Sequence, residues 1–327
     1  MKYRQEISRR ELLKWLSIAG AGAALSGCTP SILATPKSTL STQTSQPAAT
    51  AQSTLSIAGQ AYLAVTHGDD PAEITRLALQ ALGGIQRFVR NGDAVILKPN
   101  ICTDYHSAEY ATTTNPEVMA ELVRQCLGAG ARQVRVMDNP FGGSAERAYQ
   151  VSGVAEAVSK AGGEMVVLNP AKFVKTAIPE GRDINEWPVY QDILEANVLI
   201  DVPIAKHHGS ARLTLGCKNL MGTIQKRELI HLNLHQRIAD LTSLIRPDLT
   251  IIDAYRILMD NGPTGGNLND VKLQKTIIAS ADIVAADAYA CTLFGLTAED
   301  VPYVRLAAEM GLGTKDLSAI KIKELNA

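Results

Sequence analysis

The chain has no pair of cysteines spaced C-x-x-C. Once Cys28 is set aside, only Cys102, Cys126, Cys217 and Cys291 remain in 327 residues. That excludes an iron-sulfur ligand run and a dithiol redox motif. No Walker loop is present, no G-x-G-x-x-G follows a strand pattern, and no G-x-S-x-G elbow occurs, so nucleotide binding and serine hydrolysis have no motif to rest on. There is no surplus of positive charge either: Lys plus Arg is 32 and Asp plus Glu 33, and beyond residue 27 the balance is 27 against 31, a net charge of −4. With no cluster of Lys and Arg interleaved with aromatics, nucleic acid is excluded as a partner. No long apolar run exists; the stretch from Trp15 to Gly27 has 13 residues, whereas a spanning helix needs about 20.

What stands at the N-terminus is a targeting pattern. Ser8-Arg9-Arg10-Glu11-Leu12-Leu13-Lys14 precedes the short apolar stretch, which closes on Leu25-Ser26-Gly27-Cys28. The arrangement resembles a twin-arginine export signal ending in a lipoprotein cleavage site. It implies passage through the twin-arginine translocase, lipidation at Cys28 and tethering to the outer face of the cell membrane. Residues 29–56 are rich in Ser, Thr, Pro, Ala and Gln with almost no charge. Such a segment cannot bury enough apolar surface to fold and reads as a flexible tether reaching roughly 30 Å. Residues 57–327 are long enough for an ample core.

Within that region strand-length apolar runs alternate with amphipathic patterns. The periodicity predicts strands near Tyr62–Thr66, Ala94–Leu97, Gln133–Met137, Glu164–Leu168, Val198–Val202, Leu249–Ile252 and Thr276–Ala279. It predicts helices near Pro71–Phe88, Pro116–Gly128, Ala145–Ala161, Leu229–Ile245, Asp282–Leu293 and Pro302–Met310. The alternation argues an α/β fold with a mostly parallel, covered sheet and helices on both faces.

In open parallel sheets ligands gather at the carboxyl ends of the strands. The residues expected there are polar: Lys98-Pro99-Asn100, Asp138-Asn139-Pro140, Lys206-His207-His208-Gly209 and Asp253-Ala254-Tyr255-Arg256. Singly, each is readable as a strand-end turn; together they bring cations, imidazoles and carboxylates to one rim. Close behind comes Leu215-Gly216-Cys217-Lys218-Asn219-Leu220-Met221-Gly222, in which Lys218 and Asn219 interrupt an apolar run and the two glycines permit close backbone approach. A lysine so placed either reaches water or meets an anion. The candidate site therefore holds His207 and Lys218 as the acid/base and catalytic pair, with Lys98, Asn100, Asp138, Lys206, Asn219 and Asp253 as ligand contacts. Its expected ligand is an anionic small molecule.

These blocks, with Thr113-Thr114-Asn115-Pro116-Glu117-Val118, Asn261-Gly262-Pro263 and Ala281-Asp282-Ile283-Val284-Ala285-Ala286-Asp287-Ala288, resemble the successive motifs of the domain of unknown function 362 family. Many members of that family carry a ferredoxin-like iron-sulfur segment, which this chain lacks. A more distant similarity is to the nickel-pincer lactate racemase family: His208, Lys218, Gly222 and His231 or His235 follow a similar order, although Cys217 stands where that family has Gly and no Pro precedes Gly222. That resemblance implies 2-hydroxyacid chemistry with a metal-bearing cofactor. Independently, His208, His231 and His235 form a candidate imidazole set for a borderline metal ion, His231 and His235 sharing a helix face four residues apart.

Overall fold

A computed structural model describes residues 61–327. The export signal with Cys28 and the tether at 29–56 lie outside the described residues. In chain order the strands are β1 (Leu63–His67), β2 (Ala94–Pro99), β3 (Gln133–Val136), β4 (Glu164–Met165), β5 (Phe173–Ala177), β6 (Glu186–Tyr190), β7 (Val198–Val202), β8 (Ile204–His208), β9 (Arg212–Thr214), β10 (Leu249–Leu258), β11 (Val271–Ser280) and β12 (Ile322–Asn326). The helices are α1 (Pro71–Ala81), α2 (Pro116–Gly128), α3 (Ala145–Val151), α4 (Val154–Lys160), α5 (Gln191–Glu195), α6 (Gly216–Asn219), α7 (Arg227–Ile230), α8 (Leu234–Leu244), α9 (Ile283–Thr292) and α10 (Pro302–Glu309). Among the described residues no helix is long and apolar enough to cross a membrane.

Local chemistry sets the boundaries. Asp70 accepts the N–H groups of Ala72 and Glu73 ahead of Pro71, and Asn115 accepts that of Glu117 ahead of Pro116, so α1 and α2 each start with a side-chain cap and a proline whose missing N–H costs nothing there. The helix expected over Ala145–Ala161 is two, because Gly153 adopts the left-handed conformation at φ 76° and breaks the run. The helix expected over Leu229–Ile245 is likewise divided, into α7, a 3-10 turn at His231–Asn233 and α8.

The main sheet runs β12-β1-β11-β10-β7-β2-β3-β4. From β10 through β7, β2 and β3 to β4 every pairing is parallel, while β11 runs against β1 and β10 and, off this order, β9 runs against β8. It is an α/β fold with a mostly parallel sheet covered by helices on both faces, as the alternation predicts. Alternation along the strands divides the two faces. Val95, Leu97, Ile200 and Val202 join Ile74, Leu79, Leu122, Val123, Val154 and Val158 in one continuous apolar cluster beneath α1, α2 and α4. Lys98 and Asp201, paired across β2 and β7, occupy the other face, toward α6. Beyond Pro203 the chain of β7 continues as β8, which pairs β10 and folds back on β9. These features place the ends of β2, β3 and β7, the strand β8 and the helix α6 around one point.

Candidate functional site

At that point lies a cavity of about 480 Å³, walled by Lys98, Asn100, Asp138, Lys206, His208, Lys218 and Asn219, with Cys102, Gly222, Arg227, Glu228 and His231 among the other lining residues. Most of the residues expected at the strand ends therefore share one wall.

Their hydrogen bonds sort them by role. Lys98, 1% exposed, donates all three ammonium hydrogens: to Pro99 O at 2.6 Å, Asp138 Oδ1 at 2.7 Å and Asn219 Oδ1 at 2.9 Å. Asp138 in turn accepts from the N–H groups of Asn139 and Ile101. Asn219 donates Nδ2 to Asp201 Oδ1 at 2.8 Å and receives Asn100 Nδ2 at 2.9 Å. The network Asp201–Asn219–Lys98–Asp138 thus ties β7, α6, β2 and the end of β3 together. Burial drives the Asp201 carboxyl well above the usual carboxylate range, against the charge of Lys98 and the Asn219 hydrogen bond. Lys98 and Asp138, read from sequence as ligand contacts, line the cavity with their hydrogen bonds met from within the protein.

Lys206 is engaged in the same way. Its ammonium donates to Thr112 O at 2.7 Å and Pro263 O at 3.1 Å and lies against the Cys102 thiol. Burial lowers its pKa from the ordinary lysine value.

Lys218 differs. It lies on α6, half-buried and open to the cavity, and no described residue accepts a hydrogen bond from its ammonium. Burial first, then the nearby charge of Lys206, with Arg227 and Lys98 adding to it, brings its pKa down to about 8. Four cations line the cavity against two carboxylates, one of which, Asp138, is already paired with Lys98. Arg227 points two of its five donors at Asn139 O and Pro140 O.

The position of Lys218 is held from below. Asp287, inside the predominantly apolar helix α9, accepts the N–H groups of Gly216 at 2.6 Å and Cys217 at 2.9 Å and so anchors the first turn of α6. Burial raises its pKa to about 7. A β-carbon at Gly216 would stand 2.8 Å from Asp287 Oδ1, which explains that glycine.

The histidines separate by strand alternation. Lys206 and His208 face the cavity, and His207, between them on β8, faces away, accepting the Gly262 N–H at 3.1 Å and standing 3.9 Å from Asp260. His207 is not a cavity residue; the imidazole on this part of the wall is that of His208. There Nδ1 accepts the N–H groups of Ser210 and Ala211, so the ring is the Nε2–H tautomer. Burial and the charges of Lys218 and Lys206 push its pKa down to about 3, leaving His208 a neutral donor.

The candidate metal set does not assemble. His208 has its Nδ1 engaged by backbone N–H groups, and His235 lies away from the cavity, stacked on Tyr303 at 6.3 Å, so that His231, whose Nδ1 donates to Arg227 O and leaves Nε2 free, stands without the other two. Among the described residues no group of three or more His, Cys, Asp or Glu is arranged to hold a metal ion.

Asp253 also departs from expectation. Strand β10 extends to Leu258, so Asp253 is interior to it rather than at its end. Its carboxylate accepts the N–H groups of Asn115 at 2.7 Å and Tyr255 at 3.0 Å, away from the cavity. It secures the start of α2 instead of meeting a ligand.

Cys102, Arg227 and Asp287 were not singled out from sequence as site residues. Asp287 had a visible signal, a lone carboxylate in an otherwise apolar helix; Cys102 and Arg227 had none.

The sequence model of the family described as Domain of unknown function (DUF362) matches residues 95–292, which contain every wall residue named above. A thylakoid-associated protein of Synechocystis is 26% identical over 246 residues, 72% of this chain and 74% of its own. Among solved structures, the lactate racemase apoprotein of Thermoanaerobacterium thermosaccharolyticum aligns at a TM-score of 0.47 and 11% identity, covering 70% of this chain and 56% of that one. A Thermotoga maritima protein aligns at 0.45 and 13%, covering 69% and 60%.

Proposed function

The chain belongs to the domain of unknown function 362 family, and from that premise we propose that it binds an anionic small molecule at the carboxyl ends of its sheet strands, with Lys218 as the principal charge. One observation carries the reading: a half-buried ammonium on the cavity wall, with no acceptor among the described residues and with further cations around it. Two like charges brought into a low-dielectric cavity repel, and the stable resolution is a counter-anion. Lys98 and Lys206 shape the cavity, while Lys218, the His208 Nε2–H and the remaining donors of Arg227 meet the ligand.

The same proposal includes the compartment. Ser8-Arg9-Arg10 and the Leu25-Ser26-Gly27-Cys28 run support an exported protein held at the outer face of the membrane through lipidated Cys28, with the cavity turned to solutes outside the cell. Replacing Cys28 by Ala is expected to move the protein from the membrane fraction to the soluble one; an unchanged membrane fraction contradicts the anchor.

Calorimetric titration of the exported, purified chain with phosphate, sulfate and pyruvate tests the ligand class. Saturable binding of at least one anion, lost in Lys218→Met, is the expected result. Equal affinity in the wild type and Lys218→Met contradicts it.

A further inference from the structure

Lys218 has a chemical property that anion binding alone does not use. An ammonium whose only task is to hold an anion gains nothing from surroundings that weaken its charge, and Lys98 by contrast meets three acceptors. Lys218 receives the opposite treatment: no acceptor, a half-buried side chain, and cationic neighbours in Lys206 and Arg227. Burial and adjacent cations are the two devices that convert a lysine from a charge into a nucleophile. At a pKa of about 8 roughly a tenth of the amine is the free base at pH 7.

The surroundings suit one electrophile. Arg227 and the neutral His208 donor flank the amine on the cavity wall, offering hydrogen bonds to a carboxylate and to a carbonyl oxygen. The cavity, about 480 Å³, accommodates a small oxo acid. Asp287 holds the backbone of the turn that carries the amine, so the nucleophile is positioned by two hydrogen bonds and not by a mobile loop.

We propose that Lys218 forms an imine with the carbonyl group of an anionic oxo acid bound in this cavity, a step that rests on the anion-binding reading above and gives it a reaction. The step balances without a co-reactant. The free amine attacks the carbonyl carbon, the nitrogen proton passes to the oxygen, and the carbinolamine loses water. In sum, one ammonium and one ketone give one iminium and one water. The C=O bond breaks, a C=N bond forms, and no atom is oxidised or reduced.

Borohydride trapping tests this on the full chain, with pyruvate as the probe. Reduction is expected to fix one adduct per chain, with the mass of one pyruvic acid less one oxygen, on the peptide containing Lys218. Propionate, which has the carboxylate but no ketone, is expected to bind and leave no adduct. Lys218→Arg cannot form an imine: it is expected to fold and to lose the adduct, with propionate affinity measured alongside by calorimetry. Pyruvate binding by calorimetry without a trapped adduct, or adducts scattered over surface lysines equally in wild type and Lys218→Arg, overturns the imine and leaves the anion reading standing. Absence of both binding and adduct overturns the two together.

Discussion

Gly222 passes so close to Asp138 that a β-carbon on the glycine would overlap the carboxylate oxygen Oδ1 and stand 2.6 Å from Lys98 Nζ. The turn after Lys218 is thereby pressed onto the buried ion pair, and the cavity wall is continuous only because residue 222 has no side chain. Gly222→Ala is expected to destabilise the fold by about 1–3 kcal/mol through overpacking and to weaken anion binding. Urea denaturation and calorimetry check the two effects; an unchanged midpoint contradicts the close approach.

Two lysines on one wall are expected to respond oppositely. Lys98→Met leaves Asp138 buried without its cation, which costs about 3–5 kcal/mol. Lys218→Met removes a like-charge repulsion and breaks no hydrogen bond, so its stability is expected to stay within about 1 kcal/mol of the wild type while anion binding disappears. Parallel thermal melts of the two variants decide the matter.

Asp287 acts on the site through Gly216 and Cys217. Asp287→Ala leaves two buried N–H groups without an acceptor, at about 1–3 kcal/mol each, and releases the turn that holds Lys218. The expected signature is a lower melting temperature together with weaker anion binding. Loss of stability with full affinity contradicts the positioning role.

Two pH dependences follow, with opposite origins. Anion binding needs Lys218 protonated, so affinity is expected to hold below pH 7 and fall as pH rises through about 8, at up to about tenfold per unit. Asp253 has its folded pKa raised to about 6 by burial. The folded state therefore holds the proton more tightly than the unfolded chain, and the contribution is fully present below about pH 4 and lost as pH rises to about 6. Over that window the loss is on the order of 2–3 kcal/mol, and Asp253→Asn is expected to flatten it in denaturant melts taken from pH 4 to 7.

Much of this was legible in the sequence because local chemistry coincided with the final structure. Helix α2 begins and ends as its Asn115-Pro116 start and periodicity predict, and β7 spans Val198–Val202 as read. The gathering of Lys98, Asn100, Asp138, Lys206, Lys218 and Asn219 was legible because a parallel sheet brings its strand ends to one side. What those groups do there was not. Whether a lysine is free or engaged depends on carbonyls 94 and 57 residues away, as for Lys206 with Thr112 and Pro263. His207 and His208 were distinguishable only once Ile204–His208 proved to be a strand and not a turn. The hairpin of β5 and β6 was missed because its strands are partly exposed and one carries Pro188, which blurs the period-two pattern. The length of β10 was missed because Asp253 and Arg256 read as a strand end, whereas the bulge between Ala254 and Arg256 accommodates them within the strand.

The central claim is that the cavity wall presents Lys218 to an anion. Crystals soaked in bromide and measured for anomalous scattering test it directly. A bromide peak is expected within hydrogen-bonding distance of Lys218 Nζ, inside the cavity, and is expected to disappear in Lys218→Met. Peaks confined to the outer surface, or a cavity peak that persists in that variant, contradict it.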